Sequence, residues 1–166
     1  WTPDGKYLAS GSRDNNVIIW DATSGKRLKT LEGHSDEVYS VSWSPDGKYL
    51  ASGAVGWVDG EYFGELFIWD ATSGKRLKTL EGHSGYVESV CWSPDGKYLA
   101  SGVRDNKVII WDAKSGERLK TLEGHSYPVN SVCWSPDGKY LASGSNDDNI
   151  IIWDATGGQK LNIWKE

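Results

Sequence analysis

The 166-residue chain has no methionine, only two phenylalanines and two cysteines, and no apolar run longer than four or five residues, as in Val17–Trp20 and Ile150–Trp153. A membrane-spanning helix needs roughly twenty apolar residues in a row, so none is expected. No basic-then-apolar leader opens the chain. It starts at Trp1 without an initiator methionine, which suggests a fragment, a processed product or an engineered chain. Positive charge is also in short supply: 18 Lys and Arg stand against 23 Asp and Glu, a net charge of −5. That balance argues against non-specific binding to polyanions, so neither nucleic acid nor a membrane is expected as a partner. With so few thiols no disulfide is anticipated, and a cytoplasmic location is favoured. The length suits one compact domain, 1–166, rather than two unrelated ones.

What is present is repetition. A segment reading Trp-Ser/Thr-Pro-Asp-Gly-Lys-Tyr-Leu-Ala-Ser-Gly begins at Trp1, Trp43, Trp92 and Trp134, so the first and last intervals are equal and the middle one is longer. A second landmark, Ile-Trp-Asp-Ala, places its Trp at Trp20, Trp69, Trp111 and Trp153, and Gly-His-Ser recurs at Gly33, Gly82 and Gly124. Within a copy the apolar pattern has the period of strands, punctuated by turn formers. The second copy predicts strands over Val38–Ser44, Tyr49–Gly53, Leu66–Ala71 and Arg76–Glu81, with Pro45-Asp46-Gly47 and Ser73-Gly74 as turns. A four-stranded antiparallel meander of this kind has two apolar faces and must stack against its own kind, and radial stacking gives a propeller. Lys26, Arg27 and Lys29, with their repeats, would blunt the open outer edge.

Gly-His near the start of each copy, Trp-Asp near its end and the length of the repeat resemble the WD-repeat β-propellers over nearly the whole chain. The near-identity of the copies suggests a designed or recently amplified repeat. The resemblance implies an all-β fold, and in each blade a structural network of His, Ser, Asp and Trp. Blade three has His83, Ser101, Asp105 and Trp111, and blade four His125, Ser143, Asp147 and Trp153. Blade one offers Ser10, Asp14 and Trp20 but starts too late for its His. Blade two offers His34, Ser52 and Trp69, while a seven-residue insertion puts Gly56 where the Asp belongs and leaves its network without an acid.

A Ser, a His and an Asp together could be taken for a nucleophile and its base, but a catalytic constellation is needed once and these residues recur with every blade. His34, His83 and His125 lie a whole repeat apart, unlike the closely spaced ligands of a zinc site, so no metal or cofactor is expected. Cys91 and Cys133 share a repeat position on neighbouring blades and read as free thiols, small buried residues of an inner strand rather than a disulfide or metal pair. Propellers of other families do catalyse hydrolysis with carboxylates, and the non-repeated Asp59 and Glu61 would be the residues to suspect, but no reaction suggests itself. The chain therefore reads as a non-enzymatic scaffold.

Four blades, the first without most of its inner strand, would make an arc with an open face at each end. Leaving four or five large side chains uncovered per face forfeits roughly 8–10 kcal/mol of burial, so two copies are expected to close an eight-bladed ring by twofold symmetry. The copies diverge after Gly-His-Ser, where only a Val is shared, and at the insertion, Ala54 to Glu65. The family resemblance places both on the top face of the propeller, where partners often bind. Trp57, Tyr62 and Phe63, with Tyr39, Tyr86 and Tyr127, are large rings outside the repeat positions and would form a contact surface. Asp36, Glu37, Asp59, Glu61, Glu65 and Glu88 outnumber Arg13, Arg104 and Lys107 around them, which favours a neutral or basic peptide or protein segment. The alternatives are an insertion folded as a hairpin, its rings packed on one another and Gly60 and Gly64 giving its turns, and a self-assembling propeller with no specific ligand.

Overall fold

A computed structural model describes residues 1–165, and every regular element among them is a strand. Blade one holds β1 (Tyr7–Gly11), β2 (Val17–Asp21) and β3 (Arg27–Leu31). Blade two holds β4 (Val38–Trp43), β5 (Tyr49–Val58), β6 (Glu61–Asp70) and β7 (Arg76–Thr79). Blade three holds β8 (Val87–Trp92), β9 (Tyr98–Val103), β10 (Lys107–Asp112) and β11 (Arg118–Glu123). Blade four holds β12 (Val129–Trp134), β13 (Tyr140–Ser145), β14 (Asn149–Asp154) and β15 (Lys160–Lys165). Each sheet is an antiparallel meander in chain order, three-stranded in blade one and four-stranded in the others.

The turns follow from residue chemistry. In the Pro-Asp-Gly turns the Asp carboxylate accepts the N–H of the following Lys, and Gly47, Gly96 and Gly138 take φ near +70°, open to glycine at no steric cost. The third-to-fourth strand turns are closed by Asp21, Asp70, Asp112 and Asp154 accepting backbone N–H groups three residues on.

Strand alternation gives each sheet two apolar faces, and neighbouring sheets bury them in pairs. Ala9, Val17, Ile19 and Leu31 of blade one meet Val38, Leu50, Ala54, Phe67 and Trp69 of blade two. The other face of blade two, Ala51, Leu66, Ile68 and Leu80, meets Val87, Leu99, Val103, Ile109 and Trp111 of blade three. Ala100, Val108, Ile110 and Leu122 then meet Val129, Leu141, Ile151 and Trp153 of blade four. At the latter two junctions the inner-strand Trp stacks on the preceding blade's Tyr, Trp92 on Tyr49 at 6.5 Å and Trp134 on Tyr98 at 6.2 Å. Serines of one inner strand also accept backbone N–H groups of the next: Ser40 from Val90, Ser42 from Trp92, Ser89 from Val132.

Among the described residues, no buried cluster joins blade four to blade one. Leu8, Ile18 and Trp20 are only half-buried, whereas the matching Leu99, Ile109 and Trp111 are buried. At the other end Ala142, Ile150 and Ile152 are half-buried, and Leu161, Ile163 and Trp164 are exposed.

The insertion departs from the expected short strands. β5 and β6 each run to ten residues and pair in continuous register from Tyr49↔Asp70 to Val58↔Glu61. The turn is Asp59-Gly60, at φ 48° and 92°, the two positive values of a type I′ hairpin. Gly60 thus gives the turn, but Gly64 does not. It lies within β6, where its N–H meets the carbonyl of His83 at 3.4 Å and an added Cβ would stand 2.2 Å from the Gly85 oxygen. The hairpin therefore crosses the blade-three loop at closest backbone approach.

Candidate functional site

The networks come first, because they fix the loops on which the divergent residues sit. In blade four His125 Nε2 lies 2.7 Å from Ser143 Oγ, Trp153 Nε1 donates to the same oxygen at 2.8 Å, and His125 Nδ1 lies 3.0 Å from Asp147. A carboxylate only accepts, so Nδ1 carries the proton and Nε2 accepts from the serine hydroxyl. Burial works to raise the Asp147 pKa, but bonds from Ser126 N–H, His125 and Asn149 outweigh it and hold the group at about 2.

Blade two, expected to lack its acid, is complete. Glu65 takes the role: its Oε2 lies 2.8 Å from His34 Nδ1 and accepts Ser35 N–H at 3.1 Å, and its Oε1 accepts the Ser35 hydroxyl at 2.8 Å. His34 Nε2 is 2.6 Å from Ser52 Oγ, to which Trp69 Nε1 donates at 2.7 Å. Phe67 stacks on the imidazole at 4.1 Å. Burial opposes ionisation of Glu65, yet the bonds from His34 and Ser35 keep its carboxylate below the usual range. Glu65 is buried and so is no part of the top-face charge it was expected to join.

Blade three, expected to be complete, is not. His83 Nε2 reaches Ser101 at 3.0 Å and Trp111 Nε1 donates to Ser101 at 3.0 Å, but Asp105 takes the Ser84 hydroxyl, leaving buried His83 Nδ1 without a partner. Burial pushes the His83 pKa down to about 4. In blade one Trp20 Nε1 donates to Ser10 at 2.9 Å, while Asp14 is exposed and serves its own loop through Asn16 N–H.

Ser143, His125 and Asp147 thus satisfy the distances of a nucleophile, its base and an orienting acid. Ser143 is only 1% exposed and already accepts an indole N–H, so no substrate carbonyl can reach it. The arrangement holds a loop to a strand. No group of three potential ligands that could hold a metal occurs among the described residues.

The divergent residues lie above these networks and form a band across three blades. Arg13 approaches Glu37 at 3.7 Å, and the Tyr39 hydroxyl donates to Glu37 at 3.1 Å. Burial first, then Glu37 and Glu88, raise the Tyr39 pKa. Glu88 pairs with Arg104 at 2.7 Å, and the Arg104 guanidinium lies 4.9 Å from the Tyr86 ring centre. Tyr86 meets Tyr62 edge-on at 5.6 Å, and Tyr62 packs on Trp57 at 4.6 Å. Trp57 and Tyr62 remain 44% and 55% exposed.

Three further expected members are not brought into the band. Phe63 follows Tyr62 in a strand and so faces the other side, its ring over Gly56 and beside Glu65 and Arg76. Tyr127 is exposed on blade four, where Asn130 and Asn146 bond each other in place of the Glu88–Arg104 pair. Lys107 bridges Asp105 and Glu123 rather than facing the rings.

A family model described as the first β-propeller of WDR19 matches residues 1–164. Local matches of about one repeat occur in protein tipD of Dictyostelium discoideum, 61% identical over 31 residues, 19% of this chain and 5% of that protein. The U5 small nuclear ribonucleoprotein 40 kDa protein of Pongo abelii is 43% identical over 42 residues, 25% of this chain and 12% of that protein. The general transcriptional corepressor TUP1 of Saccharomyces cerevisiae is 42% identical over 41 residues, 25% of this chain and 6% of that protein. The matched stretches thus span a small part of these relatives. No helix is long and apolar enough to cross a membrane among the described residues. The repeated Gly-His and Trp-Asp landmarks, the stacked meanders and the near full-length match agree: the chain belongs to the WD-repeat β-propeller family.

Proposed function

We propose that this chain is a non-enzymatic protein-interaction scaffold that holds a peptide or protein segment on the top face of blades two and three. The observation that carries the reading is the pair of rings Trp57 and Tyr62, left open to solvent on a hairpin pinned to the next blade, where they run on to half-buried Tyr86. Exposed aromatic rings on a rigid support bury much area at little entropic cost, about 1–3 kcal/mol each. Glu37 and Glu88 are already paired with Arg13 and Arg104, so the charge offered to a partner comes from Asp36 and the exposed hairpin tip, Asp59 and Glu61. That suits an apolar segment carrying a basic residue. Trp57→Ala with Tyr62→Ala should retain the circular dichroism of the parent and lose the partner that the parent retrieves from lysate. Equal retrieval by both would refute the site.

A second reading, self-association, is favoured by the two open faces. Leu8, Ile18 and Trp20 on blade one, and Ala142, Ile150, Ile152 and Trp164 on blade four, occupy the positions that meet at the internal junctions. The blade-four face carries a groove of about 460 Å³ lined by Tyr140, Leu141, Ile152, Leu161 and Trp164. Tyr140 stands where Tyr98 receives Trp134, and Trp1, 69% exposed, is the matching ring of blade one. Two copies joined head to tail would repeat the junction and close eight blades. Light scattering should give twice 18.3 kDa, and Trp164→Asp should return the protein to one copy; a well-folded single copy of the parent would exclude this assembly.

A further inference from the structure

The inner strands of blades three and four carry the only two cysteines of the chain at one repeat position. β8 and β12 are tied side by side at that level: Val132 N–H donates to Ser89 Oγ at 3.1 Å and Trp134 Nε1 donates to the Cys91 carbonyl at 3.2 Å. One junction earlier, Trp92 N–H donates to Ser42 Oγ. Cys91 occupies the repeat position of that serine. Both thiols adopt the same pose, each donating to the carbonyl of the following Trp, at 3.6 and 3.4 Å. Burial first, and the neighbouring Cys133 thiol after it, raise the Cys91 pKa. Neither is buried as expected: Cys91 is half-buried against the junction, and Cys133 is exposed because no further blade covers its side of blade four.

We infer that Cys91 and Cys133 form a redox-responsive dithiol that a low-molecular-weight disulfide oxidises to a staple between blades three and four. The exposed Cys133 thiolate attacks one sulfur of the small disulfide, forming a mixed disulfide and releasing one small thiolate. The Cys91 thiolate then attacks Cys133 Sγ, which closes the Cys91–Cys133 bond and expels the second small thiolate. Two protein thiols lose two electrons and two protons, and the small disulfide becomes two thiols. Cys133 is the exposed thiol while burial pushes the Cys91 thiol up, so the exchange begins at Cys133. The closed loop joins positions a full repeat apart and restrains the unfolded chain, so the oxidised protein resists unfolding more than the reduced one.

The test is treatment of the full chain with oxidised glutathione, followed by intact mass, thiol titration and non-reducing peptide mapping. The parent should lose two hydrogens and both free thiols, yield a linked 91–133 peptide pair and unfold at higher urea, all reversed by a reductant. Cys91→Ser and Cys133→Ser should each stop with one glutathione adduct or a free thiol. A parent that keeps stable glutathione adducts, links between molecules or fails to react would overturn the inference.

Discussion

A buried imidazole is stabilised when each ring nitrogen has a partner and costs stability when one has none, and blades two and three show the two outcomes. Glu65 satisfies His34 Nδ1 and both the N–H and hydroxyl of Ser35, so Glu65→Ala strands three polar groups at once. The expected loss is about 2–4 kcal/mol, read as a lower urea midpoint, and Glu65→Gln should recover part of it. An Ala variant as stable as the parent, within the scatter of an ordinary surface substitution, would contradict this role. His83 gives a pH dependence instead. Its folded pKa, about 4, lies below the ordinary 6.5, so the unfolded chain takes up a proton that the folded one refuses. Stability from this group is therefore whole above pH 6.5, declines as pH falls and levels off below about 4, a change of about 3 kcal/mol. His34, also lowered by burial, adds in the same direction. Carbon-bound imidazole protons followed by NMR should place the His83 midpoint near 4; a midpoint near 6.5 would show that the ring has a partner or water.

At the scale of elements, the four meanders and their turns were legible because each copy repeats the same strand period and turn residues. The hairpin was legible only as an alternative, and its consequences were not. Counting forward from Gly53 puts Gly56 at the place of the acid, yet antiparallel pairing about Asp59-Gly60 folds the chain back and sets Glu65 opposite Ala54, at the base of the loop. The signal was the Asp-Gly centre, from which the register follows. The same pairing shows why Phe63 parts from Tyr62, since neighbours in a strand face opposite ways. The crossing on blade three had no signal in the sequence beyond Gly64, whose missing side chain lets the hairpin backbone pass the Gly85 carbonyl. Gly64→Ala should lift the hairpin from that loop and lower stability by about 1–3 kcal/mol. Exchanging residues 54–65 for the blade-three loop, 103–107, should free the His83 carbonyl, allow Asp105 to reach Nδ1 and raise the His83 midpoint. An unmoved midpoint would show that the hairpin is not what separates them.

For the whole molecule, the eight-bladed closure read from the repeat count rests on two open faces, and the light-scattering measurement decides it. The three internal junctions are near copies of one another, each an apolar layer between sheets that touch only their neighbours. Such a stack stores its stability as a sum of like steps, so its ends open before its middle. Amide exchange should be slowest in the inner strands of blades two and three, flanked on both sides, and faster in β1 and β15, where one face is bare; uniform protection would mean that the ends are covered. The molecule then behaves like a short deck of cards rather than a single bead. A strain at either end is absorbed by one card, so a substitution on the bare face of blade one or four costs less than the same change at an internal junction.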